Sequence, residues 1–201
     1  PERGVHTTLD FHGRSPLATA PEMWEHLIEH EALDGWGFIL KGRVNEFGYG
    51  AITTPRTLAA LDAMLRRFGT KTIGELIEPA LPYCDEGVMI RPHMSEFWNV
   101  PPTAGRDANI SMVNKIPATR KIYCHDDGRV RGVGELLRNP DMGATLRRIA
   151  ADGIEDFYAG ETAARIVADM EANGGLISQA DLATCVPEEN EPLWGEYRGY
   201  R

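Results

Sequence analysis

Few side chains in this 201-residue chain have the type and spacing that chemistry needs, and each suggests a different reaction. His26 and His30 stand four apart. On a helix they would share a face, and with a carboxylate they could hold a metal for hydrolysis. No H-E-x-x-H occurs and no third ligand can be placed. Exposed polar positions among Glu25, Glu29 and Glu31 are the simpler reading. His125 with Asp126 and Asp127, in "YCHDDG", reads as a turn leading into Gly128 rather than as a proton relay. Two threonine pairs, Thr7-Thr8 and Thr53-Thr54, offer hydroxyls. His12 and Arg14 are the basic side chains between Asp10 and Pro21. A guanidinium grips a carboxylate through two parallel hydrogen bonds, whereas an imidazole is mostly neutral at pH 7. Gly48, Gly50, Gly174 and Gly175 are turn glycines, because neither G-x-G-x-x-G nor a P-loop is present.

The totals narrow the partners. With 21 basic and 30 acidic residues the net charge is -9, which argues against nucleic acid or an anionic membrane as the main partner. Arg66-Arg67 and Arg147-Arg148 fall in predicted helices and read as solvated faces. Cys84, Cys124 and Cys185 are odd in number and widely spaced, which gives neither a disulfide framework nor a zinc pattern. No apolar run reaches the ~18 residues that a membrane span needs. The chain begins "PERGVHTTLDF" without Met, so the lack of a visible signal peptide carries no weight and the compartment stays open, cytoplasmic or periplasmic.

The elements that would position these groups are mainly helices. "APEMWEHLIEHEAL" predicts a helix entered at Pro21, with Trp24, Leu27 and Ile28 on one face. Phe38, Ile39 and Leu40 make a short buried strand. In "TPRTLAALDAMLRRFGT", Thr54 is the expected cap, Pro55 fits the first turn, Leu58, Leu61 and Leu65 share a face, and Gly69 stops the helix. A second helix runs to Ile77, after which Pro79 and Pro82 force a break. Residues 91–134, rich in Pro, Gly and charge, predict little regular structure, with short strands at Ile116 and Ile122-Tyr123. Further on, Asn139 caps a helix that opens at Pro140, carries Asp141 in its first turn, buries Leu146, Ile149 and Ala150, and ends at Gly153. Another helix over 157–173 turns Ala163, Ile166, Val167 and Met170 inward, and "SQAD" starts a short one over 178–185. "EPLWGEYRGYR" predicts a strand bending near Gly195 and Gly199, and a strand reaching Arg201 suggests that more protein follows.

Several of these phrases, in order, resemble the gamma-glutamyltransferase family of N-terminal-nucleophile hydrolases. They are "LDFHGRSPLATAPEMW", "TTPRTLAALDAMLRRFGT", "LIEPALPYCDEGV", "NPDMGATLRRIAADGIEDFYAGETAARIV", "ANGGLISQADLA" and "EPLWGEYRGY". The family forms are D-x-R-x-x-A-P-x-x-A-x-P-x-M-(F/W), P-G-T-x-x-G-L...F-G-T and P-A-I-x-L-A-x-x-G-(V/I), followed by a T-L-R-x-I-A-x-x-G helix with F-Y-x-G, a G-G turn and a Y-R-G-Y strand. The resemblance leaves out residues 96–132.

What the resemblance implies is a mainly helical portion of an α/β, αββα fold, whose short strands complete a sheet supplied by the rest of the protein. It implies a first, larger subunit cut from a precursor by self-cleavage. The nucleophile would be the new N-terminal threonine of the second subunit, outside this chain, and neither Thr7-Thr8 nor Thr53-Thr54 fits that cleavage point. The implied partners are that small subunit and a small gamma-glutamyl or related amide, with no metal or organic cofactor. Residues 1–50 would hold the substrate-anchor loop, 51–190 the helical lobe with an irregular excursion at 96–132, and 191–201 the start of a strand. In the family an arginine of D-x-R-x-x-A-P pairs with the substrate's α-carboxylate. Aligning Pro16, Pro21 and Met23 puts His12 in that column and Arg14 two residues later, so the substrate-binding candidates are Arg14 and His12. A shifted anchor also admits an amidohydrolase acting on another acyl amide, such as oxamate or an acylated beta-lactam. A non-enzymatic helical module and a metal hydrolase built on His26 and His30 are the remaining readings.

Overall fold

The computed structural model describes residues 4–103 and 105–200. Six short strands form three two-stranded antiparallel ladders among the described residues. They are β1 (Thr8–Asp10), β2 (Ile28–Glu31), β3 (Phe38–Leu40), β4 (Val88–Met89), β5 (Leu136–Leu137) and β6 (Glu188–Asn190), paired β1-β6, β2-β3 and β4-β5. The rest is helical. α1 (Thr57–Phe68), α2 (Ile73–Ile77) and α3 (Leu81–Asp85) come first, then α4 (Pro92–Trp98), α5 (Asn109–Lys115) and α6 (Pro117–Tyr123). α7 (Pro140–Asp152), α8 (Glu155–Ala159), α9 (Glu161–Ala172) and α10 (Gln179–Ala183) complete the set. No helix of the described residues is long and apolar enough to cross a membrane.

The core lies where α2, α7, α8, α9 and α10 meet. Ile77, Ile149, Ile154, Tyr158, Ala163, Met170, Ile177 and Leu182 are buried together there. Each large apolar side chain removed from water contributes about 1.5–3 kcal/mol. Local signals set the helix limits. Asn139 accepts the Met142 N–H at 3.0 Å, Pro140 opens α7, and Gly153 ends it at φ 85°, where a side chain would be strained. Ser178 and Asp181 form a reciprocal capping box on α10. Pro79 and Pro82 cut the second helix into α2, a single 3-10 turn and α3.

Five expectations are corrected. Residues 21–33 are not a helix: a 3-10 turn, Glu25–Leu27, leads straight into β2. β2 lends its backbone to β3, whose Ile39 and Leu40 are buried, while Ile28 is itself exposed. The i, i+3, i+4 spacing of Trp24, Leu27 and Ile28 was therefore not a core stripe. The turn between the strands uses Gly35 and Gly37, both at positive φ, and Asp34 accepts the Trp36 N–H. Second, the 96–132 excursion is not irregular, because α5 and α6 lie within it and Ile122 and Tyr123 are helical. Pro117 opens α6 instead of breaking it. None of its described residues joins the main core; Trp98 and Tyr123 pack edge to face on each other. Third, Arg56 and not Thr54 precedes α1, with no side-chain cap. Fourth, Gly160 divides the expected 157–173 helix into α8 and α9, and Asp156 accepts the N–H groups of Glu161 and Thr162 across the break. Fifth, residues 191–200 form no strand. The strand there is β6, ending at Asn190, and Tyr197 and Tyr200 close a tight turn on each other. Arg201 is outside the described residues.

Candidate functional site

β1 delivers the chain to the loop that carries His12 and Arg14. Thr8, Leu9 and Asp10 lie opposite Asn190, Glu189 and Glu188. Asp10 then accepts the His12 N–H at 3.0 Å and turns the chain. At Gly13 the loop passes so close to Thr53 that an added Cβ would sit 2.3 Å from its hydroxyl oxygen. Arg14 and Thr54 exchange backbone hydrogen bonds, 2.8 Å from the Thr54 N–H and 3.4 Å from the Arg14 N–H. Leu17 closes the loop by donating its N–H to Asp181 at 2.6 Å. Burial would raise the Asp181 pKa, but donors from Ser178 and Leu17 outweigh it and hold the carboxyl below its ordinary value.

The charges converge on one carboxylate. Arg14, its side chain 53% exposed, is ion-paired with Glu188. Arg56, 3% exposed, donates from Nε and Nη2 to the Val186 carbonyl at 2.9 and 2.6 Å, and from Nη1 to the His12 carbonyl at 3.3 Å. Its Nη2 also lies 3.7 Å from Glu188. The His12 ring is exposed, and its Nδ1 lies 3.3 Å from the Gly13 carbonyl. The fold thus brings Arg14, Glu188 and Arg56 together and leaves the His12 imidazole outside their ion pairs. Chemically, the group can present a guanidinium to an anion from a braced loop.

The other candidates sit elsewhere. His26 is in the 3-10 turn and His30 in β2, so the helix face they were to share does not exist. No three His, Cys, Asp or Glu among the described residues are grouped to hold a metal. His125 does sit in a turn, with the Gly128 N–H donating to its carbonyl. Its ring contacts Glu135 at 2.9 Å and Arg129 at 2.8 Å. The Gly132 N–H, then Arg129 and His125, hold Glu135 down to about 2. Thr7 donates its hydroxyl to Glu189, and Thr54 is buried with its backbone engaged by Arg14.

The gamma-glutamyltranspeptidase family model matches residues 2–201, including the 96–132 stretch that the quoted phrases leave out. The chain belongs to the gamma-glutamyltranspeptidase family. Among its relatives, the glutathione hydrolase proenzyme of Pseudomonas sp. (strain A14) is 34% identical, covering 98% of this chain and 31% of the relative. The acylase ACY 1 proenzyme of Pseudomonas sp. (strain SE83) is 32% identical, covering 98% and 33%. The solved gamma-glutamyltranspeptidase of Helicobacter pylori superposes with a TM-score of 0.83 at 29% identity, over 100% of this chain and 52% of that one. The chain therefore spans about a third of the length of these curated relatives.

Two members of the group were missed in the sequence. Arg56 had a signal: "TPRT" carries arginine where the gamma-glutamyltranspeptidase phrase P-G-T has glycine. Glu188 had none, because only the pairing of β1 with β6 brings it to the loop.

Proposed function

We propose that this chain is the large-subunit part of a gamma-glutamyltransferase-like enzyme that hydrolyses or transfers the acyl group of an amide. The observation that carries the reading is the braced loop from Asp10 to Leu17, with the Arg14 guanidinium half-exposed and held by Glu188. The attacking threonine, with its α-amine as base, is supplied by the small subunit released from the same precursor, outside this chain. Arg14 holds the substrate's α-carboxylate and His12 shapes the rim of the pocket. A guanidinium is charged at every working pH and forks onto a carboxylate, which an exposed neutral imidazole does not. Losing such a pair in a closed site costs about 2–5 kcal/mol. Arg14→Ala in the processed enzyme is expected to raise KM for a gamma-glutamyl anilide about 30-fold or more, with self-cleavage intact. A wild-type KM in that variant, together with a raised KM in His12→Ala, would move the anchor to the histidine.

One observation favours a second reading on the same fold. The Arg14 head is already neutralised by Glu188, which suits an acyl group without a carboxylate, and an acylase is among the relatives. Turnover of an acylated beta-lactam or oxamate that is indifferent to Arg14→Ala would select it.

A further inference from the structure

Arg56 is a buried cation outside the roles assigned so far. An arginine does not lose its proton in proteins, and burying its charge is costly unless it is well bonded. Its bonds here have a pattern. The His12 carbonyl lies two residues before Arg14, and the Val186 carbonyl lies two residues before Glu188. One guanidinium therefore ties both strands of chain that present the ion pair, each at the same remove from its charged member. The third side is the β1-β6 ladder, where Asp10 lies opposite Glu188. Arg56 is in turn fixed to the helical core. Tyr158 donates its hydroxyl to the Pro55 carbonyl and accepts the Ala59 N–H, both at 3.0 Å, so the start of α1 is pinned on either side of Arg56.

We infer that Arg56 is the positioning residue of the substrate-anchor loop, setting where the Arg14 guanidinium stands relative to a bound carboxylate. The inference rests on the reading that Arg14 binds that carboxylate. Arg56 touches no substrate; it acts through the main chain at His12 and Val186. A lysine there keeps the charge but loses the planar fork that reaches two carbonyls at once.

The experiment compares two substrates in the processed enzyme, a gamma-glutamyl anilide and the same anilide with its α-carboxylate converted to the carboxamide. Arg56→Lys is expected to lower the preference for the carboxylate form about 10-fold, within the range that a misplacement near an ångström produces. The change should fall on KM for the carboxylate form. A purely structural role would change the amount of active enzyme and shift both substrates alike. An unchanged preference in folded Arg56→Lys enzyme overturns the inference. If that variant does not accumulate, Arg56→Gln, which still donates to one carbonyl, is read the same way, and failure of both to yield self-cleaved enzyme assigns Arg56 to folding alone and also overturns it. Arg14→Gln separates the two proposals. If it leaves the preference unchanged, the carboxylate-anchor reading itself fails. If it abolishes the preference while the Arg56 variants keep theirs, only the positioning role is lost.

Discussion

The helical lobe and the anchor loop are held by different forces. In the lobe, α7 to α10 bury Ile149, Ala163, Met170 and Leu182 within 34 residues of one another, and caps at Asn139 and Ser178 close the ends. In the loop, Leu17 is bonded to Asp181, Arg14 to Glu188, and the Arg56 head to Val186, so partners lie 130 or more residues apart. Val5, Phe11 and Leu17 in that region are exposed. Apolar burial is non-directional and adds up over area, whereas a hydrogen bond fixes direction and contributes about 0.5–1.5 kcal/mol net. A lobe built the first way supplies stability. A loop built the second way supplies geometry, and single polar changes should disturb function there more than folding.

The largest stability effect should therefore come from the lobe. Ile149 is 1% exposed on the inner face of α7. Ile149→Ala is expected to cost about 2–5 kcal/mol, read as a lowered urea midpoint in the purified protein. The fraction still folded should keep its substrate preference. A loss of preference in that fraction would mean that the two regions are not separable.

The joint between them is Tyr158, and it should show in alkali. Burial pushes its pKa up to about 12, and its hydroxyl donates to the Pro55 carbonyl. In the unfolded chain the phenol ionises near ~10. A raised folded pKa means that the stabilisation is complete below pH 10 and is lost as pH climbs from there toward 12. The expected loss by that point is roughly 2 kcal/mol, measured as urea midpoints at pH 8 and 11.5. Tyr158→Phe should flatten that dependence, while losing two hydrogen bonds at neutral pH. A variant as alkali-sensitive as the wild type would assign the effect to other groups.

The same contrast explains what the residues disclosed in advance. α7 and α10 were legible because their determinants are local: Asn139-Pro140 at one end and Gly153 at the other, and Ser178 three residues before Asp181. The β2-β3 hairpin was not, because Trp24, Leu27 and Ile28 imitate a helical stripe and only the pairing with Phe38–Leu40 reveals the strand. In the candidate site, the sequence pointed to Arg14 and His12. Glu188 could not be named, since its role depends on a ladder that spans 178 residues from Asp10. Arg56 was visible as a departure from P-G-T, yet nothing local says where a guanidinium reaches.

The smallest effect tests the loop from the opposite direction. Thr54 is 3% exposed, and its hydroxyl is the buried side-chain oxygen among the described residues that has no hydrogen-bond partner. Its backbone is fully used, accepting from and donating to Arg14. Its position just ahead of Arg56 leaves it short of the helix end it would otherwise cap. A buried hydroxyl without a partner carries a desolvation cost, and replacing it with a methyl of nearly the same shape removes that cost. Valine is β-branched like threonine and suits the same extended backbone. Thr54→Val is therefore expected to stabilise the protein by about 0.5–1 kcal/mol, a small rise in the urea midpoint, with KM unchanged. That sign is opposite to the one expected for the bonded polar groups of the loop, such as Asp10, Arg14 and Asp181. A loss of stability instead would mean that the hydroxyl is satisfied in the whole protein. The polar bracing of the loop would then extend beyond this chain, and the division between a stabilising lobe and a directing loop would have to include whatever partner supplies that bond.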